Sequence, residues 1–170
     1  MKNTIKFIIS EGALLPSYQS KGASGFDVAA YSIIKAYTPN SKADELFIKE
    51  CNRRLEKDKF EILPNERYLI STGLTLADCP ANLELQLRLR SSIGLKKGLI
   101  MPNGIGTIDS DYRGEIGVIL YNPTNVPVTI KKGERIAQIV PCEVKQYIIE
   151  QAHEVTNTER GSGGFGSTGQ

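Results

Sequence analysis

At 170 residues, with 21 basic and 19 acidic side chains and a formal charge of +2, the chain is most simply one domain (1–170) with enough length for a sizeable core. The near balance of charge implies no general attraction to nucleic acid or membrane, which leaves room only for a local cationic pocket. Cys51, Cys79 and Cys142 are odd in number and lack a C-x-x-C spacing, and the Phe7–Ile9 run is too brief for a secretory or membrane segment. Disulfides and zinc are therefore not expected, and a soluble cytoplasmic protein is.

In chain order, Thr4–Ile9 reads as a first strand. Ala43 to Lys59 breaks the strand pattern: Phe47, Ile48, Cys51 and Leu55 fall on one helical stripe among charged faces, and Pro39-Asn40-Ser41 supplies a start. An amphipathic helix lying on a β core is predicted. Tyr68–Thr72 is a strand candidate, and Leu83 to Arg90 alternates leucines with Glu84, Gln86, Arg88 and Arg90, giving one buried and one polar face. Gly106 to Glu115 reads as a hairpin whose turn displays acidic residues. Glu115–Tyr121, Val126–Ile130 and Arg135–Val140 follow as strands punctuated by Asn122-Pro123, Val126-Pro127 and Lys132-Gly133. Many short strands with frequent turns favour a sandwich or barrel.

The C-terminal run R-G-S-G-G-F-G-S-T-G, Arg160 to Gly169, carries the most specific chemistry. Glycines let successive backbone N–H groups converge on an anion. Arg160 adds a planar fork of donors for phosphate, Ser162, Ser167 and Thr168 add hydroxyls, and Phe165 can stack on a nucleobase. A nucleotide lid is expected in place of a plain Gly/Ser linker. It is not a Walker loop, because no Gly-Lys-Ser/Thr follows.

Two further groups are weak alone. Asp109, in G-T-I-D-S-D-Y-R-G-E, is by itself a turn residue bonding its own backbone. Arg90-Ser91-Ser92 offers a guanidinium and two hydroxyls, yet such residues are common at strand ends.

Together with the tail, these segments resemble the five ordered motifs of the trimeric deoxyuridine triphosphate nucleotidohydrolases, the dUTPases. S-G-F-D-V-A-A (24–30) is similar to the first, R-S-S-I-G-L-K (90–96) to the second and N-G-I-G-T-I-D-S-D-Y-R-G-E (103–115) to the third. G-E-R-I-A-Q-I (133–139) is similar to the fourth and the tail to the fifth. The resemblance implies an all-β, jelly-roll-like subunit with an inserted helix within residues 31–62 and a flexible glycine-rich arm at 157–170. It also implies a homotrimer with composite sites and Mg²⁺ as cofactor. The implied reaction is dUTP plus water giving dUMP and pyrophosphate, which limits uracil in DNA and supplies dUMP for thymidylate synthesis.

Carried onto this chain, Asp109 matches the carboxylate that deprotonates the attacking water, and Gln138 a residue that orients it. Arg90, Ser91 and Ser92 match the phosphate triplet; Arg160, Phe165, Gly166, Ser167 and Thr168 belong to the closing clamp, Phe165 stacking on uracil. Asn103, Gly106, Thr107, Ile108 and Gly117 line the implied uracil site, and Tyr112 matches the ring that packs under deoxyribose. Asp27 is either an outer-shell partner of hydrated Mg²⁺ or a structural turn acid. Arg135 is expected to pair with Asp27 or another acid.

There are departures. Ser92 stands where the family usually has Gly, and the related dCTP deaminases carry a similar Arg-Ser-Ser. Deamination nevertheless fails on Leu95 and Ile119, which occupy the positions of the deaminase Arg and catalytic Glu. The Ala43–Lys59 insert is longer than typical members have. It is either surface decoration or a docking element for a protein partner, which would make the chain a nucleotide-gated trimeric regulator.

Overall fold

The computed structural model describes residues 4–37, 45–57 and 59–164. In chain order the strands are β1 (Lys6–Ile9), β2 (Ser17–Tyr18), β3 (Phe26–Ala29) and β4 (Ser32–Tyr37), then helix α1 (Glu45–Lys57). Next come β5 (Lys59–Ile62), β6 (Arg67–Asp78), β7 (Leu83–Leu89), helix α2 (Ser91–Lys97), β8 (Gly106–Asp109), β9 (Glu115–Tyr121), β10 (Val128–Lys131) and β11 (Arg135–Glu143).

One sheet is organised on β6. β9 runs antiparallel along one edge, while β4 and then β1 occupy the other, so residues 67–71 are paired on both sides. A second sheet has the order β2-β3-β11-β7-β8, and β5 pairs with β10. The inward faces share one apolar core. Leu85 and Leu87 of β7, Ile70, Leu74 and Leu76 of β6, and Ile136 and Ile139 of β11 all belong to it. The leucine side of the alternating strand is thus buried and Glu84, Gln86 and Arg88 face outward, as the period-2 pattern requires. This is the jelly-roll-like β architecture that the sequence predicts.

The predicted helix is present, two residues shorter at its C-terminal end because Lys59 opens β5; Ala43 and Asp44 lie outside the described residues. Cys51 and Leu55 of its stripe are buried and Ile48 packs against the core, whereas Phe47 is exposed. Asn52 turns the helix into an edge cover. Its amide accepts from Ile33 N at 2.6 Å and donates to Ile33 O at 2.9 Å, filling the outer edge of β4.

Two expectations change. Residues 106–115 are not one arm of a paired hairpin: β8 pairs with β7 and β9 with β6, so the chain crosses between sheets at the turn. Arg90 directly follows β7, and Ser91 and Ser92, read as part of the strand end, instead begin α2. Among the described residues no helix is long and apolar enough to cross a membrane.

Candidate active site

The crossing between sheets makes a cleft. β8 and β9 diverge from the turn at 110–114, β8 pairing with β7 and β9 with β6 and, at its far end, Tyr121 with Ile100, and both line a cavity of about 250 Å³. Gly106, Thr107, Ile108 and Asp109 form one wall; Glu115, Ile116, Gly117 and Ile119 form the other. Backbone N–H and C=O groups on an unpaired strand edge are available to a ligand that can hydrogen-bond along it. Leu87 and Leu69 lie in the cavity lining with Asn103 and Tyr112. Gly117 leaves room for a neighbour on the adjacent strand of its own sheet: a Cβ there would stand 2.6 Å from Leu69 Cδ1 of β6.

The structure therefore brings together Asn103, Gly106, Thr107, Ile108, Asp109, Tyr112 and Gly117. Asp109 is exposed where β8 ends, and its carbonyl accepts from Tyr112 N at 3.0 Å. Ile119 puts an aliphatic side chain in the lining, at the position where a deaminase needs a carboxylate. Leu95 is 87% exposed on α2.

A second cluster forms on the outer face of the same five-stranded sheet. Asp27, Gln138 and Arg88 stand directly opposite one another on β3, β11 and β7, so their side chains share one face. Asp27 Oδ2 lies 3.1 Å from Arg90 Nε and 3.1 Å from Arg135 Nη1. Both are ion pairs without aligned hydrogen-bond geometry. Arg90 also donates from Nη1 to Arg135 O at 3.0 Å, and Arg135 donates to Gln19 Oε1. Arg135 thus pairs with Asp27, one of the two outcomes expected. Gln19, which sequence reasoning missed, is held by its own bonds to Ser17.

The two clusters do not meet within one chain. Asp109 is opposite Glu84 on β7, four residues from Arg88, which heads the row containing Asp27. Three strand spacings and four residue rises place Asp27 and Asp109 roughly 19 Å apart along the sheet.

Among the described residues no group of three or more His, Cys, Asp or Glu side chains is placed to hold a metal. Asp27, the one acid assigned toward a metal, already faces two guanidinium groups, so its surroundings do not fit a directly bound cation. Among the described residues, the last backbone bond to the body after β11 is Val144 N to Asn82 O at 2.9 Å, and residues 145–162 are exposed, His153 among them. Arg160 Nε bonds Gly163 O at 2.9 Å within this arm. Phe165, Gly166, Ser167 and Thr168 lie outside the described residues.

By its fold this is a jelly-roll-like β protein with a strand-edged cleft beside an acidic turn. The family model for dUTPase matches residues 56–169. A deoxyuridine 5'-triphosphate nucleotidohydrolase of Nautilia profundicola is 44% identical over 170 residues, covering 100% of both chains. The Hydrogenobaculum sp. protein of the same name is 42% identical over 161 residues, 95% of this chain and 94% of its own. Among solved structures, the Staphylococcus bacteriophage 80alpha dUTPase with dUPNHPP has a TM-score of 0.76 at 22% identity, covering 99% of this chain and 100% of that one. The Streptococcus mutans dUTPase has a TM-score of 0.61 at 23% identity, covering 85% and 98%. The chain belongs to the dUTPase family.

Proposed function

We propose that this protein hydrolyses dUTP to dUMP and pyrophosphate. One observation carries the reading: the cleft edged by β8 and β9, with Asp109 at its rim, occurs in a chain 44% identical end to end to a deoxyuridine 5'-triphosphate nucleotidohydrolase. In this reading uracil lies between the two unpaired edges, whose N–H and C=O groups match its Watson–Crick edge. Asn103 adds an amide contact, and Gly106, Thr107, Ile108 and Gly117 keep the walls close enough to reject a methyl group. Cytosine presents the opposite donor and acceptor pattern and would leave buried groups unpaired.

Asp109 accepts a proton from the water that attacks the α-phosphorus, and Gln138 helps orient that water. The bond to the β,γ-pyrophosphate breaks as the new P–O bond forms. Arg90, Ser91 and Ser92 neutralise phosphate charge, and Arg160 with Phe165, Gly166, Ser167 and Thr168 closes the site. The separation of roughly 19 Å between Asp27 and Asp109 supports sites completed by neighbouring copies, as in the homotrimer that the family resemblance implies. Mg²⁺ would offset phosphate charge on the substrate, and Asp27, already facing two guanidinium groups, would act on it through water at most. Three free cysteines agree with a cytoplasmic, reducing location.

The test is product analysis of the purified protein with dUTP, dCTP, dTTP and UTP, with and without Mg²⁺. The expected result is pyrophosphate and dUMP from dUTP alone. Absence of turnover, or uracil nucleotides formed from dCTP, would overturn the proposal.

A further inference from the structure

Among the described residues Tyr112 is the one aromatic residue lining the cleft, and its ring is folded back over the turn that joins the two walls. Its Oη donates to Glu115 O at 3.3 Å. A Cβ on Gly114 would stand 2.5 Å from Tyr112 Cζ and 2.9 Å from Cε2, and closer still to Oη. No carbon side chain fits under the ring in this posture. Gly114 does not take a positive φ, so its backbone would accept an L side chain. The three atoms nearest to such a Cβ all belong to the Tyr112 side chain.

The neighbours of Gly114 fix the ring's hydroxyl and the turn that carries it. Glu115 supplies the carbonyl that accepts from Tyr112 Oη. Its carboxylate is anchored to β6 by Ser71 Oγ and by Gly73 N at 3.1 Å. Arg113 Nη1 donates to Ser110 O at 2.9 Å and to Tyr112 O at 3.0 Å, bracing the turn.

We propose that Gly114, supported by Arg113 and Glu115, is a positioning residue that sets the posture of Tyr112 and with it the discrimination between deoxyribose and ribose nucleotides. This rests on the reading of the cleft as a dUTP site with Tyr112 against the sugar. A ring held by contact on its turn side cannot recede, so a 2′-hydroxyl meets a fixed surface. A side chain at position 114 lifts the ring and changes that surface, and the selectivity follows the ring.

The experiment compares kcat/KM for dUTP and UTP in wild type, Gly114→Ala and Arg113→Ala, alongside urea midpoints. In Gly114→Ala the dUTP-to-UTP ratio is expected to fall at least tenfold. In Arg113→Ala, which removes the brace without adding volume, it falls about threefold; the second variant carries the test if the first does not fold. A wild-type ratio in both folded variants overturns the proposal. Ring-labelled tyrosine NMR, assigned with Tyr112→Phe, separates this from a failure of the functional reading. If the wild type hydrolyses no dUTP, a shifted Tyr112 ring signal in Gly114→Ala still supports the posture, and an unshifted one overturns it.

Discussion

Asn52 on α1 and Ile33 on β4 exchange two hydrogen bonds, 2.6 and 2.9 Å long, as residues of neighbouring strands do. A side-chain amide has the donor and acceptor pair of a peptide group, so one residue of a helix can end a sheet. The same helix buries Cys51 and Leu55 in the common core. Its first role is thus to shield an edge that would otherwise offer unpaired backbone groups to another chain.

Asn52→Ala is expected to cost about 1–2 kcal/mol, since it leaves both backbone groups of Ile33 without their partner. Urea unfolding measures the loss, and turnover of dUTP by the folded fraction should stay at the wild-type value. Unaltered stability would show that the helix holds its place without this pairing.

Asp109→Asn should keep nucleotide affinity and lower turnover by roughly 10²–10⁴-fold, the usual worth of a positioned general base. Calorimetry with a non-hydrolysable dUTP analogue gives the first quantity and pyrophosphate release the second. Wild-type turnover in this variant would remove Asp109 from the proton transfer.

Asp27→Asn removes the one carboxylate shared by Arg90 and Arg135 while keeping its shape. The two guanidinium groups then repel each other, and stability should fall by about 1–3 kcal/mol. KM for dUTP should rise more than kcat falls, because Arg90 loses the partner that fixes its direction. Titrating Mg²⁺ gives the contrast: an unchanged half-saturating concentration agrees with a structural acid, and a higher one makes Asp27 a partner of the metal.

Alkaline pH should weaken the fold. Burial pushes the Cys51 thiol up to about 11 from 9.0. Burial and then the adjacent Glu66 carboxylate raise the Tyr68 phenol, whose hydroxyl donates to Glu66 Oε2 at 2.7 Å. Between pH 9 and 11 the unfolded chain gives up the Cys51 proton while the folded chain keeps it. Stability is therefore full below pH 9 and is lost as pH rises through the window, by on the order of 2–3 kcal/mol for this thiol. Urea midpoints from pH 8 to 11 read the slope, which should be shallower in Cys51→Ala. A flat profile would contradict the burial of the thiol.

Regular alternation was the most legible signal. β7 follows the leucine pattern, and β9 has the predicted bounds Glu115–Tyr121. β6 runs from Arg67 to Asp78, but only Tyr68–Thr72 was expected, because its central residues are buried on both faces and show no alternation. α2 was hidden by its serines and Gly94, which lower helix propensity. The misread hairpin has a different cause. Turn residues mark where a chain reverses, but not which strands its arms pair with afterwards. The site was legible only through whole motifs, since Asp109 or Arg90 alone resembles an ordinary surface residue. Gln19 and Leu69 had no such signal: the contact from Gln19 to Arg135 spans 116 positions, and Leu69 reaches the cleft only because β6 pairs beside β9 and its side chain lies over Gly117.

The divergence of β8 and β9 also bears on drug resistance. A strand edge offers the same donors and acceptors whatever side chains it carries, so no point mutation short of a proline, which lacks the N–H, deletes them. An inhibitor designed to bond both edges, as a uracil-like ring would, leaves the protein few escape routes that do not first disturb the packing between its sheets. Resistance would have to arise instead at the rim, where Tyr112 and Asn103 can be exchanged, or on the arm beyond Val144.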